Sequence, residues 1–279
     1  PDLTRNDSTK MEASGGPITL DVTFVEHYGT IFAFTESPHE KGVFWVGSDD
    51  GLVHISRDGG DTWDDVTPPE LPEWTRIDVI EVSPHDPATA YVSATRYKFD
   101  DTRPFLFKTN DYGKSWTRIT DGIPEDDYTR VIREDPYRKG LLYSGTENGV
   151  YVSFDDGANW ADLSYDLPDT PVTGLSVQDR DLVISTHGRS FWVLDDIETL
   201  RQIDGDVAKS GDHLFDPADA IRRSVPAVID YHLRGSDRMV HLEVLDAEGN
   251  IVRTLFEGTR DQGTHRETWN LRHPGAVTF

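Results

Sequence analysis

Ser56-Arg57-Asp58-Gly59-Gly60-Asp61-Thr62-Trp63 returns as Thr109-Asn110-Asp111-Tyr112-Gly113-Lys114-Ser115-Trp116, and again as Ser153-Phe154-Asp155-Asp156-Gly157-Ala158-Asn159-Trp160. The shared form is Ser/Thr-x-Asp-x-Gly-x-x-Trp. Each part of it serves a tight turn. An Asp after a strand accepts backbone N–H groups, and Gly takes a positive φ without steric cost. The hydroxyl adds a local bond to the backbone, and Trp packs as a large apolar plug with one N–H donor. Ser56, Asp58, Gly60 and Trp63, with Thr109, Asp111, Gly113 and Trp116 and with Ser153, Asp155, Gly157 and Trp160, are therefore expected to build structure rather than to catalyse. The aspartates are 53 and 44 residues apart. Repeats of about 40–50 residues are the spacing of four-stranded propeller blades.

The flanks repeat as well. Ahead of each octapeptide lie three runs rich in β-branched and aromatic residues, bounded by Gly, Pro and Asp, which is the signature of strands. In the first unit these are Thr30–Phe34, Val43–Ser48 and Gly51–Ile55; in the second Ile77–Val82, Ala90–Thr95 and Phe105–Lys108; in the third Thr129–Ile132, Leu141–Thr146 and Gly149–Val152. The expected unit is strand A, B, C, octapeptide, strand D. A fourth unit, Val172–Val177, Leu182–Thr186 and Ser190–Leu194, has Asp195-Asp196 where an octapeptide would begin. Four four-stranded blades are thus predicted over about 29–70, 75–123, 128–168 and 172–203, within a propeller segment 1–205. Asp2-Leu3-Thr4 matches the stretch that follows Trp160, which suggests a blade upstream of this segment and a long connection over 4–28. From 206 to 279 the pattern becomes that of a β-sandwich: Ala227–Leu233, a hairpin Val240–Leu255 and Thr264–Arg272. It reads as truncated, since such a domain needs roughly 80–100 residues.

The three octapeptides resemble the Asp-box (BNR) repeats of sialidases, sortilin-type receptors, two-propeller xyloglucanases and photosystem assembly factors. Ser185-Thr186-His187-Gly188-Arg189-Ser190-Phe191-Trp192-Val193-Leu194-Asp195-Asp196 is similar to the blades of large bacterial and archaeal proteins described as sortilin-like or "glycosyl hydrolase" BNR-repeat proteins. The segment Val228–Arg272 resembles the immunoglobulin-like module that follows their propellers. The resemblance implies an all-β chain, a propeller followed by a partial immunoglobulin-like sandwich, boxes on the outer rim away from the binding face, and an extracellular or periplasmic location. It implies little chemistry, because such propellers serve enzymes, receptors and assembly factors alike.

Composition narrows the choices further. With 51 acidic and 27 basic residues the formal charge is −24, which repels phosphate backbones and argues against nucleic-acid partners. There is no cysteine, so thiolate metal sites and disulfides are excluded. No apolar run approaches a membrane span. Gly113-Lys114-Ser115 lacks the upstream Gly of a phosphate-binding loop, because position 108 is Lys108. No metal or cofactor is called for.

The candidate site is the blade face opposite the boxes. Loops between strands B and C bring Asp49 and Asp50, Arg96 and Tyr97, Glu147, and His187 and Arg189; the inter-blade loops add Trp74, Arg76, Tyr128 and Arg130. Arg there can grip a carboxylate in bidentate fashion, and His187 can change charge near neutral pH. The expected function is a scaffold that binds a peptide, protein or glycan at that face. The alternative is a glycoside hydrolase acting on a polysaccharide with a carboxylate pair at the channel mouth. Sialidase activity is disfavoured, since its arginine cluster and nucleophilic Tyr have no counterparts here.

Overall fold

The computed structural model describes residues 1–7, 9, 28–205, 207, 209–222 and 224–272. Most of the connection expected over 4–28 lies outside them. The chain divides into two compact units, Pro1–Asp196 and Ile197–Phe279.

The first unit is a row of antiparallel blades. β1 (Ile31–Glu36), β2 (Phe44–Ser48), β3 (Val53–Ser56) and β4 (Asp64–Asp65) make the first sheet in chain order. β5 (Arg76–Val82), β6 (Ala90–Arg96), β7 (Asp101–Thr109) and β8 (Thr117–Arg118) make the second. β9 (Thr129–Glu134), β10 (Leu142–Thr146), β11 (Val150–Ser153) and β12 (Ala161–Asp162) make the third. Each octapeptide spans the turn from third to fourth strand. First strands of successive blades pack side by side, β1 on β5, β5 on β9 and β9 on β13 (Val172–Gln178).

The octapeptides close as their chemistry dictates. The Asp carboxylate accepts the backbone N–H four residues on, at 2.9 Å from Thr62, 2.9 Å from Ser115 and 2.8 Å from Asn159. The leading hydroxyl donates to that Asp and accepts the N–H of Gly60, Gly113 or Gly157. Beyond the turn, the motif is also a joint between blades. Trp116 donates its indole N–H to the Val66 carbonyl of the preceding blade at 2.7 Å, and Trp160 does the same to Ile119 at 2.8 Å. Gly113 and Gly157 allow the contact: a Cβ would lie 2.6 Å from the Val66 side chain and 2.7 Å from that of Ile119, respectively. Trp63, in the first blade, turns back to its own Gly60 carbonyl at 3.0 Å. A second tie uses a repeated Ser-Pro-His. His39 bonds the Ser83 carbonyl at 3.0 Å and His85 the Asp135 carbonyl at 2.8 Å, each reaching the following blade. Apolar residues pack between the sheets: Trp45, Ile55 and Val53 meet Ile80, Val92 and Phe107, and Tyr91 and Leu106 meet Ile132, Leu142 and Trp160.

The fourth blade departs from expectation. It has three strands, β13, β14 (Asp181–Thr186) and β15 (Phe191–Leu194), not four. Asp195-Asp196 lacks the Gly and Trp that would turn the chain back. Asp196 is instead held by Arg180 at 2.6 Å and by its own N–H on Asp181 at 3.0 Å.

A short helix, α1 (Glu198–Gln202), follows and opens the second unit. The unit division therefore falls before residue 205. Gln202 exchanges two bonds with the Asp216 backbone, and Thr199 donates to Asp230 at 2.5 Å, which ties the helix forward. The unit contains a sheet of β16 (His213–Leu214), β17 (Ala227–Leu233) and β20 (Gly263–Trp269), and a hairpin of β18 (Arg238–Leu245) and β19 (Ile251–Arg260). Buried Asp230 is clamped by Arg266 at 2.8 and 2.9 Å.

Candidate functional site

Every first strand carries a bulge at the same place. The pairing of β1, β5, β9 and β13 with its neighbour skips one residue near the end remote from the octapeptides: Phe32, Asp78, Arg130 and Thr173. A bulge leaves one residue unpaired and re-aims its side chain. The connection from β6 to β7 adds the second component. It is a single 3₁₀ turn, Tyr97–Phe99, closed by Asp100 in the left-handed conformation (φ 57°). The turn carries Tyr97 toward the third blade and Phe99 toward the first.

Together these elements form a belt of rings and guanidinium groups over three blades. Tyr97 stacks on Tyr128 with centroids 5.2 Å apart and planes 21° apart. Arg130 sits 5.0 Å from the Tyr128 ring, donates to its hydroxyl at 2.9 Å, and grips Glu147 at 2.5 and 2.8 Å. Arg76 lies 4.6 Å from the Phe32 ring and bonds Asp78 at 2.7 Å. Phe99 approaches Tyr28 at 6.4 Å, and Tyr28 meets Trp74 edge-on at 5.2 Å. Arg96 covers the Phe99 ring at 4.6 Å and reaches Asp101 at 3.5 Å.

Burial sets the protonation behaviour. Asp78 is pushed up to about 6 by loss of solvent, against the opposing pull of Arg76. Burial also raises the Tyr128 hydroxyl above its ordinary value. The two central guanidinium groups are already matched to carboxylates, so the belt offers ring edges and paired polar groups rather than a bare cation.

The residues expected from sequence divide accordingly. Arg76, Tyr97, Arg130 and Glu147 are brought together, and Arg96 flanks them. Asp49 and Asp50 serve the chain entering the first blade. Asp49 accepts the N–H of Gly29 and Thr30 at 2.9 and 2.8 Å, with its carboxyl raised by burial. Asp50 is buried and accepts the Ser48 hydroxyl at 2.5 Å and the Arg5 N–H at 2.7 Å. His187 and Arg189 are exposed at the β14–β15 turn, held by backbone bonds from His187 to Pro171 and from Arg189 to the Thr186 hydroxyl. Their side chains make no hydrogen bond or ion pair among the described residues. Phe32, Asp78 and Phe99 were missed. The signal lay in aligning the repeats, where Phe32, Asp78, Arg130 and Thr173 occupy one column.

Among the described residues, no helix is long and apolar enough to cross a membrane. No family model matches the chain. A xyloglucanase from a Paenibacillus species is 24% identical over 263 residues, which cover 85% of this chain and 24% of that protein, so the chain spans about a quarter of the relative's length. Among solved structures, an ancestral GH74 enzyme is 17% identical with a TM-score of 0.49, covering 81% of this chain and 32% of that one. YCF48 bound to a D1 peptide is 14% identical with a TM-score of 0.44, covering 81% and 68%.

Proposed function

We propose that the protein is a binding scaffold, taking an extended peptide, protein segment or glycan across the belt formed by Tyr97, Tyr128, Arg76 and Arg130, with His187 and Arg189 at its fourth-blade end. The stacked Tyr97–Tyr128 pair carries this reading. A pair of rings from two blades, flanked by ring-covered arginines, gives a rigid amphipathic surface at low entropic cost, at the end of the blades free of the box joints. The YCF48 structure holds a peptide and the Paenibacillus relative is a xyloglucanase, so both ligand classes belong in the test. Peptide-library and glycan-array screens with the wild type, Tyr97→Ala, Arg130→Gln and Arg189→Ala supply it. Loss of ligand at unchanged melting temperature in the first two variants supports the belt. Retained binding in both overturns it.

A second reading, hydrolysis of a glycosidic bond, is favoured by one observation: a buried carboxyl at Asp78 raised to about 6 in the same cluster as Glu147. A carboxyl that keeps its proton toward neutral pH is what acid-assisted cleavage requires of its proton donor. Release of reducing ends from a polysaccharide, lost in Asp78→Asn, would establish it. The assignment of the octapeptides to the Asp-box class, and of the second unit to an immunoglobulin-like sandwich, belongs to the same proposal.

A further inference from the structure

The bulge in β5 leaves Asp78 out of the strand pairing, and its side chain lies buried beside that of Arg76. The two oxygens of this carboxyl are used unequally. Oδ1 accepts Arg76 Nε at 2.7 Å and lies 2.6 Å from its Nη2, whereas Oδ2 is buried and accepts no hydrogen bond among the described residues. A buried carboxylate oxygen without a donor is costly while ionised and is a seat for a proton. The groups that face Asp78 are Arg76 on its own strand, Thr95 on β6 and Arg130 on β9. Arg130 is committed elsewhere, to Glu147 and to the Tyr128 hydroxyl. The third blade thus holds its guanidinium with a partly exposed carboxylate, and the second blade with a buried one that has an oxygen to spare. The rise of Asp78 to about 6 agrees with that geometry.

The other side of Arg76 belongs to the belt. Its guanidinium lies 4.6 Å from the exposed Phe32 ring and 5.9 Å from that of Tyr97. Asp78 is the one carboxylate paired with it among the described residues. A proton on Asp78 therefore leaves a guanidinium charge unmatched in a recess between two rings. An anion reaches that recess on a flexible arm; a carboxylate fixed to a sugar lying flat on Tyr97 is held above it. Asp and Glu side chains supply such an arm, and their carboxylate matches the guanidinium fork. We propose that Asp78 sets the specificity of the belt: protonated, it frees Arg76 to take an acidic side chain of an extended peptide, and ionised, it keeps Arg76 and excludes that ligand. This rests on the belt as the binding site. A carboxylate bound at Arg76 in turn makes Asp78 harder to ionise, so binding takes up a proton.

Calorimetry on the full chain tests this with two short Gly-Ser peptides, one with a central Tyr-Glu-Tyr and the other with Tyr-Gln-Tyr. In the wild type the Glu peptide should bind at about pH 5.5 and weaken by up to about tenfold per pH unit above the folded value of Asp78. Its heat should vary with the ionisation enthalpy of the buffer, which reports the proton taken up. The Gln peptide should show neither effect. Asp78→Asn keeps the shape and removes the charge, so it should bind the Glu peptide at about pH 7.5 as tightly as the wild type does at about pH 5.5, without proton uptake. Adding Arg76→Gln to that variant should abolish the gain. A wild type that takes up no proton would overturn the proposal, a result that needs no variant to fold. So would a pH slope that persists in Asp78→Asn, or a gain for an oligogalacturonate in place of the Glu peptide. The belt is judged separately: Gln-peptide binding retained in Tyr97→Ala counts against the belt, whereas equal binding of both peptides at every pH, lost in Tyr97→Ala, counts against Asp78 alone.

Discussion

Trp160 is the position where the blade joint can be measured. Its ring is buried, and its indole N–H reaches across to the Ile119 carbonyl at 2.8 Å. Trp160→Ala removes the plug between the second and third blades and strands a buried acceptor. Core Trp truncation costs about 3–5 kcal/mol, and an orphaned buried polar group adds about 1–3 kcal/mol, less where water enters the cavity. A loss of about 4–5 kcal/mol is expected. At about 2–4 °C per kcal/mol for a unit of this size, the melting temperature should fall by roughly 10–15 °C. Trp116 makes the same cross-blade bond to Val66 but is only half-buried, so Trp116→Ala should cost about 3 kcal/mol. Trp63 bonds its own Gly60 and plugs no junction between described blades, so Trp63→Ala should cost about 1–2 kcal/mol. Urea titrations of the three variants, with unfolding of the first unit followed separately, provide the ranking. Equal losses at all three positions would refute the joint and return the motif to a turn of purely local value. The order Trp63 above Trp160 would refute it outright.

The remaining predictions concern charge and the site. Glu81 reaches Arg133 of the next blade at 3.1 Å, yet burial pushes its carboxyl up to about 7. A carboxyl raised in the folded state binds its proton more tightly there than when unfolded. Its contribution is fully present below about pH 4.5 and is lost as pH rises through about 7, a fall on the order of 3 kcal/mol; Glu81→Gln should flatten the slope in melting temperature against pH. The octapeptide carboxylates act in the opposite sense. Hydrogen bonds from Thr62 and Ser115 hold Asp58 and Asp111 below the ordinary carboxylate range, so their stabilisation is present at neutral pH and fades as the solution is acidified through their folded values. Asp111→Asn should lower stability while leaving any ligand bound by the folded fraction; loss of binding with an unchanged melting temperature would make the box a site. Arg130→Gln should weaken ligand binding at least tenfold, read by calorimetry with whichever probe the screens return.

What was legible in the sequence followed from how local the causes are. Asp58, Gly60 and Trp63 lie within eight residues of one another, and the turn they build is determined inside that span. Strand positions were legible from alternation, because side chains on successive residues face opposite blades. The bulges at Phe32, Asp78, Arg130 and Thr173 were not, since a bulge shows itself only against a partner strand. Tyr97 and Arg130 are expected from the sequence in loops on one face; Tyr97 lies in a 3₁₀ turn and Arg130 inside β9. Their stacking and pairing depend on a 3₁₀ turn and on a neighbouring blade, which no short window contains. Asp49 and Asp50 looked like site residues for the same reason. Two acids in a loop are equally suited to a ligand or to nearby backbone N–H groups, and here Asp49 accepts those of Gly29 and Thr30 and Asp50 that of Arg5.

The two ends of the blades are therefore built on different terms. At the octapeptide end, the repeated joints are closed by backbone carbonyls, Trp116 on Val66, Trp160 on Ile119, His39 on Ser83 and His85 on Asp135, with side-chain pairs such as Tyr112 with Glu40 and Tyr91 with Asp156 beside them. A carbonyl is present whatever the side chain, so these joints tolerate sequence change in the residue that accepts them. At the other end Thr129 bonds the Phe105 carbonyl of the preceding blade, but the contacts of the belt itself are side chain to side chain, Arg76 with Asp78 and Phe32, Arg130 with Glu147, Tyr128 and Tyr97. Each of those depends on both partners' identity. Substitution there alters chemistry without loosening the joints that hold the row together, because distant sites contribute nearly independently to stability. The side chains of the bulge column can therefore vary while the blades stay tied at the opposite rim.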